Sequence, residues 1–307
     1  MKVFLISDIS DIDGLTPVIL SKLTFSDFDY HLLHVTQLDE YLKEKIEEHF
    51  FDTYDKIFIT DLCMSEEIAK AIDDLSLKEK IQVLDHHYRN LPLNSYPFIK
   101  VVDERNGIHE SGTSLYYEYL LEHYLNDNIK KDSVSYMVSL VRLNDTWEWK
   151  KFGVEEARYL PILLSYYGID YYIDNYVKFL TENNKFYFTN AEKILIDVEQ
   201  RRMKDYIEEQ KERVIFKEIK GYNVGIVFAE LYRSDLGNAL AEFYQDRVDF
   251  IIVININRSI SYRGIKDDIS VAEFASMYGG NGHKLAAGSP LPINLREQIV
   301  NLIFSEE

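Results

Sequence analysis

Ile81-Gln82-Val83-Leu84-Asp85-His86-His87 is an apolar run that breaks into one carboxylate and two imidazoles. Ile81, Val83 and Leu84 predict a short buried strand. Buried parallel strands are apolar on both faces, and open α/β sheets take their ligands beyond the carboxyl ends of their strands. A carboxylate and two imidazoles at such a tip are costly to bury without a partner such as a divalent cation or a phosphate. A polar loop that merely holds two histidines is the plainer alternative, and the flanking sequence bears on it.

Upstream, Lys56-Ile57-Phe58-Ile59-Thr60-Asp61 has the same form, an apolar strand ending in an aspartate. Residues 2–7 predict the first strand, which runs into Ser7-Asp8-Ile9-Ser10-Asp11-Ile12-Asp13-Gly14. Carboxylates this close repel one another unless something positive lies between them, although Asp is also common in solvated turns. Gly14 permits a tight turn, and residues 15–23 predict a helix with Pro17 in its first turn. Strands over 31–36 and 97–102, a helix over 38–49 and a helix capped by Ser65 complete an alternation of strand and helix. That alternation predicts an α/β fold, a parallel sheet with helices on both faces. Asp11, Asp13, Asp61 and Asp85 would then converge on one edge, a stronger signal than any one of them.

Downstream of Ser111 the apolar period becomes helical. One helix ends in Arg142-Leu143-Asn144-Asp145-Thr146-Trp147, which adds Asp145 as a further candidate. Trp147, Trp149 and the tyrosines of 159–176 read as core packing. Residues 189–214 predict one long, highly charged, solvent-exposed helix with Thr189 as N-cap. The predicted organisation is therefore a first domain over 1–188, a connector helix over 189–214 and a smaller α/β domain over 215–307. In the last of these, Ser270 and Glu273 predict a capping box. Gly279-Gly280-Asn281-Gly282-His283-Lys284-Leu285-Ala286-Ala287-Gly288 predicts a loop whose backbone N–H groups face an anion, with a helix starting near His283.

The chain has 307 residues, 46% of them hydrophobic, which suits a globular protein with a sizeable core. No apolar run approaches a membrane span, and the N-terminus lacks the features of a signal peptide. One cysteine, Cys63, fits a reducing compartment, so a cytoplasmic location is expected. The net charge of −18 argues against long nucleic acids, whose binding leans on Lys and Arg, but allows a short anion in a local pocket.

Asp11-Ile12-Asp13-Gly14, Asp61, Asp85-His86-His87 and Asp145 resemble, in order and spacing, the four motifs of the DHH phosphoesterase superfamily. The stretch 279–288 resembles the glycine-histidine motif of its accessory DHHA1 domain. Residues 57–61, 111–115 and 143–147 look most like the nano-RNase B type of oligoribonuclease. The resemblance implies two metal ions, usually Mn2+ with Mg2+ or Co2+ as substitutes, in a cleft between a DHH and a DHHA1 domain. It implies that Asp61 bridges the ions, that Asp13, His86 and Asp145 complete one, and that Asp11 helps hold the other. Asp85 would orient His86, and His87 would contact the phosphate. Arg263 and the loop residues Gly280, Gly282 and His283 would grip a substrate phosphate. Family members commonly carry a histidine just before the first Asp-x-Asp pair. Here Asp8 is the candidate replacement, with Ile9 in the ligand slot as the alternative.

The activity implied is hydrolysis of very short oligonucleotides to mononucleotides through a two-metal activated hydroxide. A 3′,5′-bisphosphate nucleotide phosphatase, a cyclic-dinucleotide phosphodiesterase and a non-catalytic scaffold are the alternatives. The expected partner is a short oligonucleotide or small nucleotide, with no long duplex and no membrane. The oligomeric state is left open, a homodimer included.

Overall fold

A computed structural model describes residues 1–266 and 268–304. The chain divides into two compact units, Met1–Ile196 and Asp197–Glu307. No helix among the described residues is long and apolar enough to cross a membrane.

The first unit runs β1 (Lys2–Asp8), α1 (Ile12–Thr24), β2 (Asp27–Leu33), α2 (Val35–Glu47), β3 (Lys56–Thr60), α3 (Glu66–Asp73), β4 (Ile81–Asp85) and β5 (Ile99–Val101). A two-stranded hairpin follows, β6 (Glu104–Arg105) and β7 (Ile108–His109). The helices α4 (Gly112–His123), α5 (Asp132–Asp145), α6 (Trp149–Phe152), α7 (Tyr159–Tyr167) and α8 (Ile169–Glu182) then close the unit.

The five main strands pair in the order β2-β1-β3-β4-β5, all parallel. Side chains alternate across each strand, so every strand feeds two cores. Val3, Leu5, Phe58 and Leu84 pack with residues of α1, α4, α5 and the later helices on one face. Phe4, Ile6, Ile57, Ile59 and Val83 pack with residues of α2 and α3 on the other. Cys63 lies buried in this second core, its thiol pushed up to about 12, by burial first and by the Asp85 charge next. The predicted doubly covered parallel sheet is thus the observed one. The chain leaves β1 toward β2 and then returns to the other side of β1 for β3. Open α/β sheets bind ligands at such a reversal of strand order.

The helix α9 (Asn190–Lys211) opens with Glu192 accepting from the Thr189 backbone N–H at 2.7 Å and hydroxyl at 2.8 Å. It is less exposed than its charge suggested. Leu195 and Ile196 join the core of the first unit, and Tyr206 and Ile207 join that of the second.

The second unit runs β8 (Ile215–Ile219), β9 (Tyr222–Phe228), α10 (Arg233–Phe243), β10 (Phe250–Asn255), β11 (Ser259–Gly264), α11 (Val271–Ser276), β12 (Asn281–Gly282), β13 (Ala286–Ser289) and α12 (Leu295–Phe304). Its strand order is β12-β13-β11-β10-β9-β8, with only β9 and β10 parallel.

Three local expectations are corrected. The helix α1 starts at Ile12, so Pro17 lies inside it rather than in a first turn that begins at Leu15. No helix begins near His283. The glycine-rich run is a hairpin of β12 and β13, closed by His283 N–H to Ala286 O at 2.8 Å and Ala286 N–H to His283 O at 3.2 Å. Gly282, at φ 147°, supplies a backbone that L-residues rarely adopt, and a Cβ there would meet Ala287 Cα at 2.5 Å. Strand pairing outcompeted helix initiation. Finally, Trp149 is buried, but Trp147 is 39% exposed at the end of a turn and is not core.

Candidate metal centre

The site grows from the carboxyl ends of β1, β3 and β4, next to the β1/β3 reversal. Asp61 follows β3 at φ 57°, with its N–H bonded to Leu84 O at 3.0 Å. His86 is the first residue past β4. Asp13 lies in the first turn of α1 and Asp145 ends α5. His86 Nε2 stands 3.3 Å from Asp61 Oδ1, 3.5 Å from Asp145 Oδ2 and 3.9 Å from Asp13 Oδ2. The donor atoms form two sets that share His86, one of Asp61, His86 and His87, the other of Asp13, His86 and Asp145. Within each set they lie within 4.8 Å of one another.

Asp13 is fixed by the N-terminus of α4. Gly112 N–H donates to its Oδ2 at 2.7 Å and Thr113 N–H to its Oδ1 at 3.0 Å. The Thr113 hydroxyl donates to the Asp13 carbonyl at 2.7 Å. That carbonyl is the one the residue four positions on would take in a regular helix, and that residue is Pro17, which has no N–H. Gly112 is needed for this approach, because a Cβ there would sit 2.6 Å from Asp61 Cβ.

Asp85 is fully buried and does not orient His86. Its Oδ1 lies 2.7 Å from His87 Nδ1, and its Oδ2 accepts from Asn90 Nδ2 at 2.7 Å. Side chains two apart in extended chain share a face, which puts His87 and not His86 beside Asp85. Burial alone would raise Asp85, but the bonds from His87 and Asn90 and the neighbouring imidazoles hold it below the usual carboxylate range.

The other acids move the opposite way. Burial first, and then Asp13 and Asp11, raise Asp61 well above the ordinary value. Burial and Asp13 push Asp145 up to about 8, and its Oδ2 is buried with no hydrogen-bond partner. Burial, which would lower His86, is outweighed by the surrounding aspartates, led by Asp145, which raise it. Asp11 caps α1, accepting from Asp13 N–H at 2.9 Å and Gly14 N–H at 3.3 Å. Desolvation by the surrounding chain and the Asp13 charge push it up to about 6, an effect that solvent on its exposed side screens. Carboxylates stripped of water and facing one another are relieved either by protons or by a cation.

Asp8, like the capping Asp11, is outside both donor sets. Its Oδ1 accepts from Ser10 N–H at 2.8 Å and Ser10 Oγ at 2.6 Å.

In the second unit, Arg263 lies within β11, donating from Nη1 to Tyr262 O at 2.9 Å and from Nη2 to Ser234 Oγ at 2.8 Å. Burial and then the Arg233 charge lower its proton affinity. Arg263 pairs with Ala286 across the sheet, so the hairpin of Gly280, Gly282 and His283 belongs to the same sheet. A concavity there is lined by Ser259, Gly280, Asn281 and Ser289 among others. The backbone donors expected of this loop are partly used internally, since Gly280 N–H bonds Ala275 O at 2.9 Å and His283 N–H closes the hairpin.

No protein-family model matches the chain. Among solved structures, the DHH domain of a member of the S1p family of ribosomal proteins aligns with TM-score 0.61 at 13% identity, covering 100% of this chain and 87% of that one. Exonuclease RecJ bound to manganese aligns with TM-score 0.52 at 14% identity, covering 97% and 88%. These likenesses show the fold. Oligoribonuclease NrnB of Bacillus subtilis (strain 168) is 32% identical over 303 residues, 96% of this chain and 74% of NrnB. The chain belongs to the NrnB oligoribonuclease family. It is an NrnB-type protein with the fold of a DHH domain, as the order of its carboxylate motifs implied. Asn90, Gly112 and Thr113 hold this NrnB-type site together without carrying its chemistry. Gly112 and Thr113 were visible in sequence only as the Ser-Gly-Thr-Ser start of a helix, and Asn90 gave no signal.

Proposed function

We propose that the chain is a metal-dependent phosphodiesterase that hydrolyses very short oligonucleotides to mononucleotides. The observation that carries this reading is the orphaned, buried Asp145 Oδ2 facing His86 among carboxylates that raise one another. A cation satisfies that oxygen and relieves the repulsion. Carboxylates with imidazole suit a hard or borderline divalent ion such as Mn2+. Asp13, His86 and Asp145 would hold one ion, and Asp61 with His87 would help hold a second. When bound, the ions supply Lewis acidity and charge neutralisation at the scissile phosphodiester.

The chain's own residues set the rest. Asp85 occupies His87 Nδ1, which leaves Nε2 as the nitrogen offered to the site. The helix α4, through Gly112 and Thr113, keeps both Asp13 oxygens in a fixed orientation. Within the second unit, Arg263 is locked by Tyr262 and Ser234, a preorganised guanidinium of the kind that suits a phosphate. NrnB is named for acting on oligoribonucleotides, and that name supports the substrate class.

The test is hydrolysis of a labelled dinucleotide, a long RNA and a 3′,5′-bisphosphate nucleotide with Mn2+ and with EDTA. The dinucleotide should be cleaved fastest, and only with the metal. Asp61→Asn and Asp145→Asn should abolish turnover. Equal rates in EDTA, or no Mn2+-dependent thermal shift, would sink the reading.

A further inference from the structure

Trp147 sits in a left-handed backbone at φ 61°. Such a conformation is uncommon for a bulky aromatic residue. The turn is held from both sides. Its N–H bonds Asn144 O at 3.2 Å. The next residue, Glu148, is clamped by Arg142 at 2.8 Å and Lys151 at 3.1 Å. Trp149 is buried beneath the Arg158 guanidinium, 4.6 Å from the ring centroid, and meets Trp147 edge to face at 5.8 Å. In this turn Trp147 is 39% exposed, two residues along the chain from Asp145. A second open ring, Tyr88, 65% exposed, stands two residues from His86, whose Nε2 is 3.5 Å from Asp145 Oδ2. Over-determined backbone of this kind collects where a ligand is met.

We propose that Trp147 is a stacking platform that receives a nucleobase of the substrate beside the carboxylate–imidazole cluster. Every base has a π-face, so the contact tolerates sequence and suits an enzyme for short, unpaired strands. It rests on the proposed activity only for the identity of the substrate.

The chain has two tryptophans, so Trp149→Phe leaves Trp147 as the sole indole. In that variant with Mn2+, 5′-AMP should quench tryptophan emission, and ribose 5-phosphate, which has the phosphate without the base, should not. In otherwise native protein, Trp147→Gly, which the backbone accepts, should raise the dinucleotide KM about tenfold with a much smaller fall in kcat, and Trp147→Phe should restore most of the loss. Equal emission with both probes, or an unchanged KM in Trp147→Gly, overturns the proposal. If the native protein fails to cleave dinucleotides, the proposed activity falls, while the comparison of 5′-AMP with ribose 5-phosphate still decides the role of Trp147.

Discussion

At the residue scale, the acids of the candidate metal centre are set by what surrounds them. Asp145 at about 8, Asp11 at about 6 and Asp61, raised too, bind protons more tightly in the folded chain than in the unfolded one, where aspartates titrate near about 4. The metal-free protein should therefore lose stability as pH climbs from about 4 to about 8, the window over which the unfolded chain has released protons the fold still holds. A divalent ion replaces those protons, so the rise in Tm on adding Mn2+ should be larger at the alkaline end of this window than at its acid end. Asp145→Asn should raise the alkaline Tm in EDTA and shrink the Mn2+ increment, and melting curves across pH decide it. Thr113→Val offers a second measurement. It keeps the shape but leaves the buried Asp13 carbonyl, already denied a partner by Pro17, unsatisfied, at a cost of about 1–3 kcal/mol in denaturant unfolding. The alternation of strand and helix pointed Asp13, Asp61 and the Asp85-His86 pair to one edge, because each follows or ends a strand, whereas Asp145 joined them only through the resemblance of its motif. It did not show that Asp85 serves His87, because which neighbour a side chain faces depends on the backbone beyond the strand.

At the element scale, α4 is the piece on which the site depends without supplying a charged group. Its first residue, Gly112, lies against Asp61, and its first N–H groups carry Asp13. Gly112→Ala has to displace the Asp61 backbone, because Cβ would lie 2.8 Å from Asp61 Cα. A loss of about 1–3 kcal/mol is expected, with activity falling further than stability does, which unfolding and turnover measured on one sample would show. A Ser-Gly-Thr-Ser run announces a helix start, but nothing local announces what approaches it from about fifty or a hundred residues away. The glycine-rich hairpin failed in sequence for a related reason. Glycine and alanine serve a helix entry or a tight strand pair equally well, and pairing of β13 with β11, a long-range event, chose between them.

At the scale of the whole molecule, the doubly covered sheet was legible because β1, β3 and β4 are apolar on both faces and each ends in acid or imidazole. The charge of −18 has a measurable consequence for substrate choice. At low ionic strength a long RNA should be cleaved far more slowly than a dinucleotide, and added salt should narrow the gap by screening repulsion beyond the cleaved end. A gap that widens with salt would contradict this. The burial of Cys63 has a separate practical use. With its sulfur buried and its thiol held protonated, Cys63 should not react with maleimides at neutral pH in the folded chain, which a labelling assay checks. A single cysteine placed on the surface would then be the one thiol to take up a fluorophore, so the chain could be labelled at a chosen point in an otherwise native sequence.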